Sequence, residues 1–343
     1  MRCGCSSGAT SLTKSRLSRP AHGQRHGWEG ILVADGRVLS EHAGHAPPSL
    51  IREPEETRKG LPPMTLQLPE GKKIAVAIGA DFDAHALWKG AFDRTSPSYL
   101  SRGEFGAEVG VPRLLELFSR YDIKATFCTP SHTIVTFPER MRDIAAAGHE
   151  VAAHGCYHES IPTISAEHER EMMVRSLEHY ERIIGGRPRG YRSPAWDFSE
   201  QTMSLLEEFG FEWDSSLMGR EFDPYHPRPV VTDWTEGNTF GEPSRILEIP
   251  VSWYLDDFPP MEYVARLNPG LGDHDVLFRR WRDIFDDLDR REAPGVYALT
   301  LHPQCSGRSF MIAMLEKLIR HMAGTNRVWF CRLSDVYDAW TDD

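Results

Sequence analysis

The stretch HEVAAHGCYHES, residues 149–160, places His154 and His158 four residues apart behind a short apolar run. Imidazoles at that spacing can share a metal when both lie on one face of a helical turn. Spacing alone is weak, because 15 His in 343 residues supply about one such pair by chance. HGQRH, with His22 and His26, is a decoy of that kind. What distinguishes the second pair is its company. AIGADFDAH ends an apolar run with Asp81 and Asp83, GYRSPAW ends another with Arg192, and ALTLHP ends a third with His302. Taken singly, a strand-end Asp more often caps the next helix, and a lone His is usually a satisfied polar group. Four strand ends that all carry metal-ligand or proton-transfer residues are harder to dismiss.

The chemistry follows from the residue types. A catalytic zinc site takes three protein ligands and leaves one position for water. One carboxylate and two imidazoles meet that need, and the bound water loses proton affinity toward a pKa of ~7. A second carboxylate beside the water can act as general base, with Arg192 holding it ionised and oriented. A histidine across the site can protonate a leaving nitrogen. This inventory suits amide hydrolysis around one divalent ion, Zn²⁺ being the first choice. Two other classes remain open. A metal-stabilised binding module is disfavoured because structural sites close the fourth position with protein. An iron oxygenase also uses two His and one carboxylate, but the helix-rich pattern here does not suit the jelly-roll that usually carries it.

Such residues need a frame. From residue 72 onward, short apolar runs alternate with amphipathic segments. Strands are expected over 72–80, 123–129, 150–154, 189–193, 245–253 and 296–302. Several are continuous apolar runs, the pattern of strands buried on both faces. Pro112 and Pro138 are expected to open helices that stop near Asp122 and Gly148. Ser165 is expected to cap a helix whose Met173, Leu177, Tyr180 and Ile184 face the core, and Ser199 another that ends at Gly210. Met311, Leu315, Leu318 and Met322 form a further core stripe, and CRLSDVYDAW reads as a last strand end and a capped helix. Repeated β-α units imply an α/β fold with a parallel sheet, open or closed into a barrel. In a barrel, chemistry gathers where strands end.

Composition excludes several partners. Forty per cent apolar content over this length supports a substantial core, and the net charge of −11 suits neither a phosphate backbone nor an anionic membrane surface. The six Cys fall without the regularity of a disulfide framework, which fits a reduced compartment. Cys156, between the two histidines, reads as a small packed residue. Residues 1–63 carry a net charge of +3 and hold no Phe or Tyr. They read as a disordered extension or a mis-assigned start, with the catalytic domain over 64–343. No apolar h-region of a secretory signal stands out near the start, so a cytoplasmic location is expected.

Five motifs in order resemble the polysaccharide deacetylases, carbohydrate esterase family four, over roughly residues 72–340. They are DFD (Asp81, Asp83), HGCYH (His154, His158), RSP from Arg192, WDSS around Asp214, and TLH ending at His302. The resemblance implies a distorted (β/α) barrel with about seven parallel strands. It implies a catalytic base and a metal ligand in the first motif, metal histidines in the second, and a base-tethering Arg192 in the third. Asp214 would tune the catalytic His302. Chain order makes Asp81 the base and Asp83 the ligand; the reverse is the alternative. Most of the family has adjacent aspartates, whereas Phe82 separates them here. The DFDAHALW form is similar to an intracellular branch that holds Helicobacter-type peptidoglycan deacetylase and allantoinase-like and cyclic imide hydrolases. A homotetramer is implied by that branch. A cytosolic setting favours a small cyclic imide or ureide, the alternative being N-deacetylation of peptidoglycan or another acetylated amino-sugar polymer. Trp88 and Trp196 flank the first and third motifs and could wall the substrate pocket, though buried Trp is equally common in a core.

Overall fold

The structure, a computed structural model, describes residues 65–341; the expectations for residues 1–63 lie outside them. Eight parallel strands make the main sheet: β1 (Ile74–Asp81), β2 (Thr126–Thr129), β3 (Glu150–Ala153), β4 (Gly190–Tyr191), β5 (Trp213–Asp214), β6 (Leu247–Glu248), β7 (Gly295–Leu301) and β8 (Val328–Cys331). Seven follow one path, β7-β1-β2-β3-β4-β5-β6, and β8 pairs with β1 beside it. β1 serves two neighbours on one edge. β8 pairs with its first half, Ile74 to Ala77, and β2 with its last three residues, Gly79 to Asp81. The result is a distorted (β/α) barrel left incompletely closed. The loop after β6 reaches the end of β7 through one parallel bridge, Asp256 to Thr300.

Alternation within β1 explains how the barrel holds a site. Ile74, Val76, Ile78 and Ala80 join the core shared with the helices. Ala75 and Ala77 join a second cluster of mostly small residues with Cys128, Ala152, Val296 and Ala298, into which Trp213 packs. Because side chains repeat every two residues along a strand, Gly79 and Asp81 continue that second face. A side chain on Gly79 would meet the Arg192 guanidinium at 2.5 Å. Glycine is therefore what admits a buried cation beside the strand.

The helices largely follow the expected stripes. Ser165 accepts from the His168 amide at the start of Ala166–Ile183, whose Met173, Leu177 and Tyr180 lie in the core. Met311, Leu315, Leu318 and Met322 do the same along Ser309–Ala323. One expectation is refined and another corrected. Pro112 lies in the first turn of Val111–Arg120, which stops close to Asp122 as expected, but that helix does not start from a free end. The coil runs from Pro97–Phe105 through a wide π turn, Gly106–Gly110, into Val111–Arg120. Such turns accommodate a break in the normal hydrogen-bond ladder, here ahead of a residue with no amide hydrogen. Ser199 sits before the start of Thr202–Phe209, and its hydroxyl instead donates to Glu169 at 2.5 Å. Gly210 does end that helix, in the left-handed conformation at φ 78°. Among the described residues, no helix is long and apolar enough to cross a membrane.

Candidate metal and catalytic site

The ends of β1, β3, β4 and β7 converge. Asp83 is buried, and its carbonyl is pinned by the Thr133 hydroxyl at 2.6 Å. His154 follows β3 and shares a 2.7 Å hydrogen bond between its Nδ1 and the Arg192 carbonyl. A carbonyl can only accept, so Nδ1 carries a hydrogen, and in the neutral ring Nε2 keeps its lone pair. That Nε2 lies 3.4 Å from one Asp83 oxygen, and His158 Nε2 lies 4.0 Å from the other. The three residues offer ligand atoms within 4.8 Å of one another.

The spacing that drew attention does not work through a helical turn. Residues 154–158 form an irregular turn in which Gly155 and His158 both take left-handed backbones, φ 68° and 61°. That reversal swings the second imidazole back toward Asp83. Cys156 is buried, as expected of a packed residue, and accepts from the Ser131 hydroxyl at 3.4 Å.

Fit to a divalent ion can be tested on the donors themselves. Both Asp83 carboxylate oxygens and His158 Nδ1 are buried without a hydrogen-bond partner. A buried carboxylate without donors is costly, and a cation among its oxygens would offset that cost. The electrostatics of Asp83 and His158 agree, whereas burial pulls His154 down but Asp83 and Asp81 raise it overall, toward its protonated form. Burial pushes the Asp83 carboxyl up, but His158, His154 and His302 together bring it below the usual range. Burial pulls the His158 imidazole down to about 4, leaving it neutral, the form that ligates. The donor set fits the ion.

Arg192 is wholly buried and spends its donors on structure. Nε reaches the Ser215 carbonyl at 2.9 Å, Nη2 the Ser215 hydroxyl at 2.9 Å, and Nη1 the Asp81 carboxylate at 2.7 Å. Burial works against its charge, but Asp81 more than compensates and raises its pKa. Across the site, His302 turns Nε2 to 3.7 Å from Asp83.

The partner of His302 is not the one expected. Its Nδ1 meets Asp257 Oδ1 at 2.9 Å and Asp256 Oδ1 at 3.3 Å. Asp257 also accepts the His302 amide at 2.9 Å and the Ser306 hydroxyl. Burial opposes a charge on the ring, but the two aspartates push its pKa well above the ordinary imidazole value. Asp214, the residue expected to tune it, lies elsewhere. It accepts from Ser216 at 2.9 Å and faces Glu248 on the adjacent strand. Asp214 Oδ2 and Glu248 Oε2 have no other donor, so one carboxyl keeps its proton and donates to the other. Burial raises Asp214 to about 6, and burial with the Asp214 charge raises Glu248 well above its usual range. This pair buttresses the Ser215–Ser216 turn that holds Arg192. Nothing in the spacing of LDDFPP linked Asp256 and Asp257 to a histidine 45 residues on.

The two tryptophans part ways. Trp88 is fully buried with Leu87 and Val264, against Phe92 and Tyr99 and under the Arg102 guanidinium at 4.3 Å. It is a core residue rather than a pocket wall. Trp196 stacks on Trp253 at 4.2 Å between ring centroids and lies 5.9 Å from the Arg192 guanidinium carbon. Trp253 keeps 43% of its surface exposed, so the stack runs from the site to solvent.

Comparisons with known proteins agree with this geometry. The polysaccharide deacetylase family model matches residues 100–213, a span that includes His154, His158 and Arg192. A peptidoglycan deacetylase of Helicobacter pylori is 38% identical over 282 residues, covering 78% of this chain and 96% of its own. A peptidoglycan deacetylase-like protein of Gibberella zeae is 31% identical over 279 residues, covering 74% and 82%. Among solved structures, a Mycobacterium smegmatis protein classed with the polysaccharide deacetylases is 32% identical with a TM-score of 0.70, covering 81% and 93%. An allantoinase is similar in fold, at 24% identity and a TM-score of 0.66, covering 79% and 91%. With its strand-end motifs in order and a relative this similar across nearly its whole length, the chain belongs to the polysaccharide deacetylase family.

Proposed function

We propose that the protein is a metal-dependent hydrolase that removes the acetyl group from an N-acetylated amino sugar. One observation carries the reading. The Asp83–His154–His158 group has a buried carboxylate without donors at its centre, an arginine-held Asp81 on one flank and His302 on the other. A divalent ion held by those three residues would supply a Lewis acid that polarises the amide carbonyl and lowers the pKa of water. Asp81, held by Arg192 at 2.7 Å, would take a proton from the attacking water. The water oxygen bonds to the acetyl carbon and the carbon–nitrogen bond breaks. His302, its ring held by Asp257, gives the Nε2 proton to the departing amine. Acetate and a free amine result.

The relatives at 38% and 31% identity are named as peptidoglycan deacetylases or their like, whereas the allantoinase likeness, at 24%, speaks for the fold alone. The weight therefore moves from the cyclic imide or ureide expected first to the acetylated amino sugar. The test is a substrate panel on zinc-loaded protein. Acetate release from N-acetylglucosamine oligomers and peptidoglycan fragments is expected. Ring opening of hydantoin, succinimide or allantoin with no acetate from any glycan would return the reading to a cyclic amidase.

A further inference from the structure

The turn between the two candidate metal histidines is held by a carboxylate that the catalytic scheme does not use. Glu159 is buried, and it accepts the Cys156 amide with both oxygens, at 3.0 and 3.1 Å, and the Tyr157 amide at 2.8 Å. Two carbonyls of the turn have partners of their own. The Gly155 carbonyl accepts from the Ser131 amide and the Ser176 hydroxyl, each at 3.1 Å, and the Cys156 carbonyl from the His132 amide at 2.7 Å. A side chain at Gly90 would meet the His158 carbonyl at 2.0 Å, so a neighbouring helix packs tightly on the far end. Those two carbonyls are thus held from outside, and Glu159 receives the Cys156 and Tyr157 amides at the apex. Buried amides without an acceptor are costly. Two successive amides converging on one anion also fix the dihedrals of the peptide between them. His158 follows at once in its left-handed backbone.

We propose that Glu159 is a positioning residue for the metal site: its carboxylate locks the 155–158 turn in the one conformation that aims His154 and His158 at the same ion. This rests on the metal reading above. A second buried carboxylate supplies a built-in contrast. Glu169 lines the same small cavity but accepts only the hydroxyls of Ser199 and Thr202, at 2.5 and 2.6 Å, and so fastens the start of another helix.

The test uses the full chain, freed of metal and titrated with Zn²⁺ alone against a chromophoric chelator, with melting curves recorded with and without zinc. Wild type should bind about one zinc per chain. Glu159→Gln should bind it roughly 10–100-fold more weakly, the range for partners that orient a metal ligand. Its zinc-induced rise in melting temperature should shrink accordingly. Glu169→Gln should melt several degrees lower in both states yet keep wild-type zinc affinity. Where the glutamine variant does not fold, Glu159→Asp keeps the charge, shortens the reach and should weaken zinc in the same way. Unchanged affinity in the folded Glu159 variant overturns the proposal, as does an equal loss in Glu169→Gln. A wild type that binds no zinc would instead remove the metal reading on which the proposal stands.

Discussion

Two groups of aspartate and histidine lie side by side in this site and have opposite characters. Asp83, His154 and His158 form one, Asp256, Asp257 and His302 the other, and both bring carboxylates and imidazoles within ligand distance. In the first, the central carboxylate has no donor at either oxygen. In the second, Asp257 accepts from a ring nitrogen, a backbone amide and a hydroxyl, and is satisfied. The difference teaches how to read buried acid–imidazole clusters. A carboxylate left without donors in a dry site awaits a cation, whereas one surrounded by donors orients its neighbour. Hydrogen-bond accounting separates the two where residue type does not.

The largest effects should come from breaking the first group. Asp83→Ala is expected to abolish stoichiometric metal and to lower turnover by roughly three orders of magnitude or more, since several kcal/mol of charge stabilisation leave with the ion. Metal analysis of the purified variant checks it. Next come the proposed proton carriers. Asp81→Asn and His302→Ala should each cost about 10²–10⁴-fold in rate while keeping the metal. Loss of metal from Asp81→Asn, with Asp83→Asn retaining it, would exchange the roles of base and ligand.

The comparison sharpens further in metal-free protein. Asp257→Asn should lower stability by about 1–3 kcal/mol, because it removes an acceptor that three donors share. Asp83→Asn should be neutral or stabilising under the same conditions, because it relieves a buried charge among unpartnered atoms. Denaturant titrations of both variants decide this. Equal destabilisation would mean that the first group is structural after all.

The smallest effect concerns the carboxyl pair behind Arg192. Burial raises the Asp214 pKa to about 6 and holds Glu248 well above its usual range. The folded protein therefore binds a proton that the unfolded chain has released at the same pH. Stability from this pair is fully present only below the ordinary carboxylate range, declines as pH rises from there, and is gone once pH has passed the folded-state values, about 6 for Asp214 and higher for Glu248. Glu248→Gln, whose amide can donate where the shared proton did, should flatten the decline by a few degrees in melting temperature between mildly acidic and alkaline buffer. A variant with the wild-type slope would place the shared proton elsewhere.

How much could be read beforehand divides along a physical line. Asp81, Asp83, His154, His158, Arg192 and His302 were legible because each follows an apolar run that becomes a strand, and chemistry in such sheets gathers at strand ends. The helical stripes were legible because an amphipathic face is a local property with a fixed period. Asp257 was not legible. It lies between a short 3-10 turn and a short helix, in a segment that the bridge from Asp256 joins to Thr300, far along the chain and without shared periodicity. Asp214 was read with the wrong partner for the same reason, since Glu248 faces it only through the pairing of β5 with β6. Trp88 and Trp196 are alike in sequence setting, and tertiary packing alone buried one in the core and stacked the other on Trp253. By itself the sequence determined the family, the alternation of strand and helix, and the candidate ligands, all carried by short-range pattern. The tertiary structure decided which carboxylate faces which histidine, that the His154–His158 turn is not helical, and how β1 divides one edge between β2 and β8. Those depend on register and loop closure, which join residues far apart in the chain and leave no mark on local spacing.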